Sequence, residues 1–184
     1  MKEYIIAKLE KIDQNYLYLL KDDVCYKFYY SKNDAKQLKL NDQLKLYIST
    51  IWIENEIKDF AFVNQDNRDL FEILIKINTI GQKTVLKILD NYSYQELIEI
   101  FRIGDIDKIL KIKGIGAYTA KLIINAIQKA LFNNQLSEKK QKVLISLEKL
   151  GYKTKDIYKV IINADNKLNT DQLTKYVLLN INNV

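Results

Sequence analysis

"KIKGIGAYTAKLII", residues 111–124, sets two glycines around one isoleucine between two apolar, lysine-bearing stretches. A plain surface loop is served by Asn, Asp or Ser. Two glycines this close, just before a helical pattern, place a special demand on the backbone. Gly114 can adopt a positive φ that a side chain would penalise. Ile115 can plug inward and hold the hairpin's shape. Gly116 has no Cβ, so another backbone can come close. The following residues open a helix whose first N–H groups lack intrahelical partners, and whose dipole favours an anion. Such a turn presents backbone amides to a phosphate and reads no base.

The same arrangement occurs earlier. "ILIKINTIGQKTVLKIL" aligns with "ILKIKGIGAYTAKLII" at an offset of 35 residues, with Ile80 on Ile115, Gly81 on Gly116, Thr84 on Thr119 and Val85 on Ala120. An internal repeat marks a duplicated supersecondary unit, here two helix–hairpin–helix motifs. The candidate phosphate-binding residues are Thr79, Ile80, Gly81, Gln82, Lys83 and Thr84 in the first copy. In the second they are Lys113, Gly114, Ile115, Gly116, Ala117, Tyr118, Thr119 and Lys121. One such turn can be a mere connector in a helical bundle. Two in register beside lysines argue for a grip on a polyanion. Tyr118 is read as contacting a sugar or simply packing, with packing the favoured of the two.

Upstream, residues 1–64 read as strands. Ile5, Ala7 and Leu9 share one face, as do Val24, Tyr26, Phe28 and Tyr30, and then Leu44, Leu46, Ile48 and Trp52. Period-2 alternation with β-branched and aromatic residues is the strand signal. Five short strands with a loop or short helix near "NDAKQLK" predict a small Greek-key barrel of the OB type. Trp52 is read as core or subunit interface, and Cys25 as a small apolar strand residue.

From residue 65 the period becomes helical, with Leu70, Phe71, Leu74 and Ile77 on one face and Asn67 as the expected N-cap. Ser93 and Glu96 form a capping-box pattern. Gly104 ends that helix and Asp105 caps the next. A longer helix is expected from about 117 to 132. "NNQLS", 133–137, is polar and without period, and reads as a linker. Three further helices follow in 138–184, with Gly151 ending the first and Thr154 and Thr170 as expected caps. The fold class is multidomain α+β: an OB-fold barrel (1–64), an all-α segment with two helix–hairpin–helix motifs (65–132), and a three-helix, UBA-like bundle (138–184).

Composition narrows the chemistry. No apolar run approaches the roughly 18 residues of a membrane span, and the charged start lacks a signal peptide's apolar core. A single cysteine excludes an internal disulfide framework and suits a reducing cytoplasm. With no histidine, neither a His-based triad nor a common zinc site can form. The net charge of +6 points weakly to a polyanion, because lysine in a chain rich in Lys, Asn and Ile also reflects AT-rich codons. "GQKT" at 81–84 lacks the spacing of a P-loop, so no nucleotide site is expected.

The ordered set of segments resembles the RuvA family, the Holliday-junction-binding subunits of the bacterial branch-migration machine. "RDLFEILIKINTIGQKTVLKIL" is similar to the family's first hairpin region, "ILKIKGIGAYTAKLII" to its second, and "LEKLGYKTKDI" to the start of its C-terminal domain. The resemblance implies a non-catalytic homotetramer, an octamer when two tetramers sandwich DNA, that holds a four-way junction open. It implies no cofactor. Its partners would be junction DNA, the hexameric AAA+ ATPase RuvB and a junction resolvase, with the cytoplasm as the setting. A central acidic hairpin would fall at Glu54, Asn55 and Glu56, where Asn55 separates acids that are often adjacent in the family. Motor docking would use exposed apolar residues of the last bundle, Leu150, Tyr152 and Ile157. Thr79 stands where the family usually has glycine, so the first hairpin is expected to bend differently or bind more weakly. Two other functions compete: a helix–hairpin–helix repair enzyme of the glycosylase or lyase type, and a single-strand-binding OB protein using the barrel's tyrosines. A third treats the last bundle as a general protein-binding adaptor.

Overall fold

A computed structural model describes residues 3–53, 55–132 and 136–181, which group into two compact units, 1–96 and 97–184. In the first, five strands close a barrel: β1 (Tyr4–Ile12), β2 (Tyr16–Lys21), β3 (Val24–Tyr30), β4 (Gln43–Ile53) and β5 (Glu56–Phe62). Their order is β1-β2-β3-β5-β4, all neighbours antiparallel except β3 and β5. Closure removes the sheet edges. The inward positions are the alternating apolar residues Ile5, Ala7, Leu9, Leu17, Leu19, Phe28, Tyr30, Leu46 and Ile48. The short helix α1 (Lys32–Ala35) lies between β3 and β4, as expected from the "NDAKQLK" region.

Two positions grouped with the inward strand faces lie outside the core of the barrel. Val24 sits at the tip of the β2–β3 hairpin, opposite Lys21, where Asp22 and Asp23 both take positive φ. Trp52 is 68% exposed. The reason is local. β1 leaves β4 after the Tyr4–Tyr47 pair, and β3 pairs with β5 at Phe60 and Ala61. Beyond that point β4 and β5 continue as a two-stranded ribbon, pairing Trp52 with Ile57 and Ile53 with Glu56.

Helix α2 (Gln65–Leu74) closes one side of this unit through Leu70, Phe71 and Leu74. The Phe71 ring packs 4.5 Å from Phe60 and 5.0 Å from Phe62 between centroids. Its N-cap is Asn64, not Asn67. Asn64 Oδ1 accepts the Asn67 N–H at 2.9 Å, while the Asn67 side chain donates to the buried Asp34. Burial raises the Asp34 carboxyl above its usual range, opposed by the hydrogen bonds from Val63 and Asn67. Helix α3 (Gln82–Asn91) is tied to the barrel by Asp90, whose Oδ1 accepts from Ser31 Oγ at 2.9 Å and the Lys32 N–H at 2.6 Å. Helix α4 (Tyr94–Ile103) starts with the expected Ser93–Glu96 capping box.

In the second unit α4 ends at Gly104 (φ +69°), and Asp105 caps α5 (Ile106–Leu110) by accepting from the Lys108 N–H. The long helix divides. Helix α6 (Ala117–Ile127) passes into a π-helical stretch, Gln128–Phe132. Residues 133–135 of the expected linker lie outside the described residues, and Ser137 is already the N-cap of α7 (Glu138–Lys149). Helix α7 ends in a Schellman motif: Gly151 (φ +94°) donates to Glu148 and Tyr152 donates to Leu147. Two caps sit one residue earlier than expected. Lys153 precedes α8 (Thr154–Ile161), and Asn169 precedes α9 (Thr170–Asn180), where Asn169 and Gln172 form a reciprocal capping box. Val143, Leu147, Ile157, Ile161, Leu173 and Val177 form this bundle's core. The buried Lys140 satisfies its ammonium on the carbonyls of Ile162 and Ala164, just past the end of α8.

Candidate nucleic-acid interface

The two hairpins are built from the same parts, one in each unit. After α2 the chain turns through Ile77, whose carbonyl accepts from the Ile80 N–H; after α5 the Ile112 carbonyl accepts from Ile115. Ile80 and Ile115 are both buried, as the plug role requires. The repeat continues into the packing. Leu74 and Ile109, Val85 and Ala120, and Ile88 and Ile123 are all fully buried equivalents.

The residue before each plug is in the left-handed region: Thr79 at φ +82° and Gly114 at φ +93°. Thr79 therefore does not bend the first hairpin differently. The backbone bonds around Ile77 and Ile80 hold the turn in the shape that glycine adopts freely in the second copy.

Gly81 and Gly116 serve a different purpose. Both are N-caps with extended backbone, φ −99° and −87°, which any residue can adopt. A Cβ built on either meets nothing within 4 Å. Neither conformation nor packing within the protein demands glycine there. What the missing side chain leaves is an open approach to the helix end. No side chain caps α3 or α6, and the first N–H groups of a helix have no i−4 partner within it. Behind them the Gly81 carbonyl accepts from Thr84 and Val85, and the Gly116 carbonyl from Ala120.

The charged side chains do not repeat as the backbone does. Lys83 is the second residue of α3, whereas the second residue of α6 is Tyr118. Tyr118 is 74% exposed, which goes against packing, the favoured of its two expected roles, and leaves the ring at the surface. Lys121 is exposed one turn further along α6, and Lys113 is exposed before the second turn. Each helix end thus offers backbone donors with cationic or aromatic groups around them, a surface suited to phosphate and sugar.

The other expected sites are distributed unevenly. Glu54 lies outside the described residues; Asn55 takes φ +64°, and Glu56 is exposed with Lys58 Nζ at 3.9 Å. In the last bundle Leu150 is 72% exposed and Tyr152 also faces solvent, but Ile157 is 0% exposed. Ile157 is a core residue of α8 and offers no surface. Sequence reading passed over Ile145, Tyr176 and Leu179, which are exposed apolar residues of α7 and α9. Their signal was that they are apolar residues lying off the i, i+4 core stripe of each helix, which runs through Val143 and Leu147 in α7 and Leu173 and Val177 in α9.

Comparison with known proteins agrees with this construction. A family model of SAM-like helix-hairpin-helix tandems matches residues 71–129, a span that contains both hairpins. Two mycoplasma proteins named Holliday junction branch migration complex subunit RuvA are similar over almost the whole chain. That of Mycoplasma capricolum subsp. capricolum is 61% identical over 178 residues, 97% of this chain and 96% of the relative. That of Mycoplasma mycoides subsp. mycoides is 58% identical over the same share. A protein of the same name from Fusobacterium nucleatum is 28% identical over 90% of this chain. Identity above one half, sustained through barrel, hairpins and final bundle, means that the chain belongs to the RuvA family.

Proposed function

We propose that this protein is a non-catalytic subunit that binds four-way DNA junctions by their backbone geometry and recruits an AAA+ ATPase that drives branch migration. The observation carrying the proposal is the duplicated, uncapped helix N-terminus behind an open glycine. Each copy suits one phosphate-backbone grip, and phosphate contacts position a protein without reading sequence. Two relatives with this chain's length and order of segments carry the branch-migration name.

Specificity would come from assembly. Non-specific grips of this kind bind at about 10⁻⁴–10⁻⁶ M. A homotetramer through the barrel (1–64) sets several pairs of grips from residues 65–132 in one plane, and effective concentration multiplies their affinity. An open junction satisfies them together; a linear duplex does not. A second tetramer would complete an octamer on DNA. The ribbon carrying Asn55 and Glu56, with Glu54, would face the crossover and repel its phosphates. The bundle 138–184 would dock the motor through Leu150 and Tyr152, and a junction resolvase would act on the same assembly.

The test is a gel-shift titration at fixed moderate salt, comparing a four-way junction with linear duplex and single strand of matched length. Strong preference for the junction supports the proposal. Equal binding to duplex reduces the protein to a generic phosphate clamp, and single-strand preference transfers the function to the barrel's tyrosines.

A further inference from the structure

We infer that a cleft between the β1–β2 turn, β3 and the start of α3 holds the sugar–phosphate backbone of the DNA strand leaving the first hairpin. The inference rests on the reading of that hairpin as a phosphate grip. The cleft has a volume of about 350 Å³ and is bordered by Asn15, Tyr16, Tyr29, Lys32, Gln82 and Lys83. That is near the lower end of ligand sites, which run from about 300 to 1,000 Å³, and suits one nucleotide-sized group.

Both walls are fixed. On the barrel side, Asp13 Oδ1 accepts the backbone N–H of Asn15 at 2.9 Å and of Tyr16 at 2.8 Å, so the β1–β2 turn is held from inside. On the helix side, the Asp90 bonds to Ser31 and Lys32 clamp α3 against the barrel. Asp90 is the one carboxylate bordering the cleft, and its Oδ1 already takes two donors. The ammonium groups of Lys32 and Lys83 stand on exposed side chains around the opening.

The chemistry of the lining fits a nucleic-acid backbone. Tyr16 and Tyr29 lie with ring centroids 4.6 Å apart, and the Tyr16 hydroxyl donates to that of Tyr29 at 3.0 Å. Lys27 Nζ lies 3.8 Å from the Tyr16 ring centroid. Aromatic surface of this kind can pack against a deoxyribose while the lysines meet its phosphates. Gln82 Oε1 is buried without a partner. Gln82 and Lys83 are also the first two residues of α3, directly after Gly81. A backbone gripped at that helix end and running toward the barrel enters the cleft.

The test is a charge ladder read through the salt dependence of binding to junction and duplex DNA. Each phosphate neutralised adds about 0.9 to the slope of log affinity against log salt. Lys32→Gln should lower the slope by close to that amount, and Asn15→Lys should raise it similarly. Lys21→Gln and Gln43→Lys make the same charge changes in a separate hollow at the far end of β2 and should leave the slope unchanged. All four side chains are exposed, and far-ultraviolet circular dichroism checks that the fold is kept. If the cleft variants match the control pair, the inference is overturned. If the unsubstituted protein shows no junction preference while the cleft ladder still moves the slope, the cleft stands and the junction reading falls. If preference is present and the ladder is flat, the cleft falls alone.

Discussion

Thr79 and Gly114, 35 residues apart, hold the same left-handed backbone conformation at φ +82° and +93°. One is a β-branched residue in a region it strongly disfavours, and the other is the residue that region suits. The left-handed conformation costs an ordinary residue roughly 1–2 kcal/mol. Glycine regains that but adds roughly 0.5–1 kcal/mol of chain entropy to the unfolded state. Thr79→Gly should therefore stabilise the protein by about 0.5–1 kcal/mol, seen as a higher urea midpoint at unchanged slope. Gly114→Thr should do the reverse. Thr79→Gly should also leave junction affinity intact, because the turn is already in the shape that presents the amides.

Gly81 and Gly116 separate stability from binding. Serine is a strong N-cap, and at either position its Cβ meets nothing within 4 Å. Gly81→Ser and Gly116→Ser should keep thermal stability equal or slightly raised. The new hydroxyl would accept from the helix's own leading N–H groups and obstruct the approach of a phosphate. Junction affinity should fall about tenfold for each, or roughly 1.4 kcal/mol. A loss of stability in step with the loss of binding would show instead that the glycines are structural.

Much of this was legible in the chain because the signals were periodic. The barrel face of Ile5, Ala7 and Leu9 and the paired plugs Ile80 and Ile115 follow from alternation and from the repeat. What misled was whatever depended on where an element stops meeting its neighbours. Trp52 keeps the alternation of β4 but lies past the last residue that β1 covers. Caps slipped for a related reason. Asn169 sits beside Thr170, which is comparably suited to capping, Asn64 caps three residues before Asn67, and Lys153 holds the cap position before Thr154 with no side-chain bond, so only backbone geometry chooses. Ile157 was misplaced because a turn-proximal apolar residue looks the same whether it points in or out. The cleft beside α3 joins positions 15, 29 and 82, which no local pattern connects.

Leu150 and Ile157 make opposite predictions although both are apolar and close in sequence. Leu150 is 72% exposed and Ile157 is 0% exposed in the bundle core. Leu150→Ser should change stability by less than about 0.5 kcal/mol and weaken capture of the purified motor. Tyr152→Ser should behave likewise. Ile157→Ala should cost about 2–5 kcal/mol through lost packing and the cavity left behind. Any effect of Ile157→Ala on motor capture should track the fraction unfolded, measured by denaturation under the same conditions.

Asp13 makes the β1–β2 turn pH-dependent in a direction that can be worked out. The backbone N–H of Asn15 is the main cause that holds its carboxyl below the usual 3.8, helped by Tyr18, Tyr16 and Lys11 and opposed by partial desolvation. A depressed folded-state value means the charged form is favoured by folding, so its contribution is fully present above the unfolded value. It is lost as pH falls through the folded value. Tyr18 supplies the other limit. Its hydroxyl donates to Asp13 Oδ2 at 2.9 Å, and that bond is the main cause that raises the phenol above its usual 10.0. A raised value gives stability that is present below the unfolded value and lost as pH rises through the folded one. Asp13→Asn should therefore be less stable than the parent at neutral pH. The gap should close as acid titrates Asp13 below 3.8, and should narrow again as alkali ionises Tyr18 above 10.0. Urea denaturation of both proteins across that range reads the difference, and tyrosinate absorbance of the variant should show Tyr18 ionising closer to its ordinary value. A stability gap that stays constant through the acid limb would mean that the Asp13 charge contributes nothing, and that the turn is held by hydrogen-bond geometry alone.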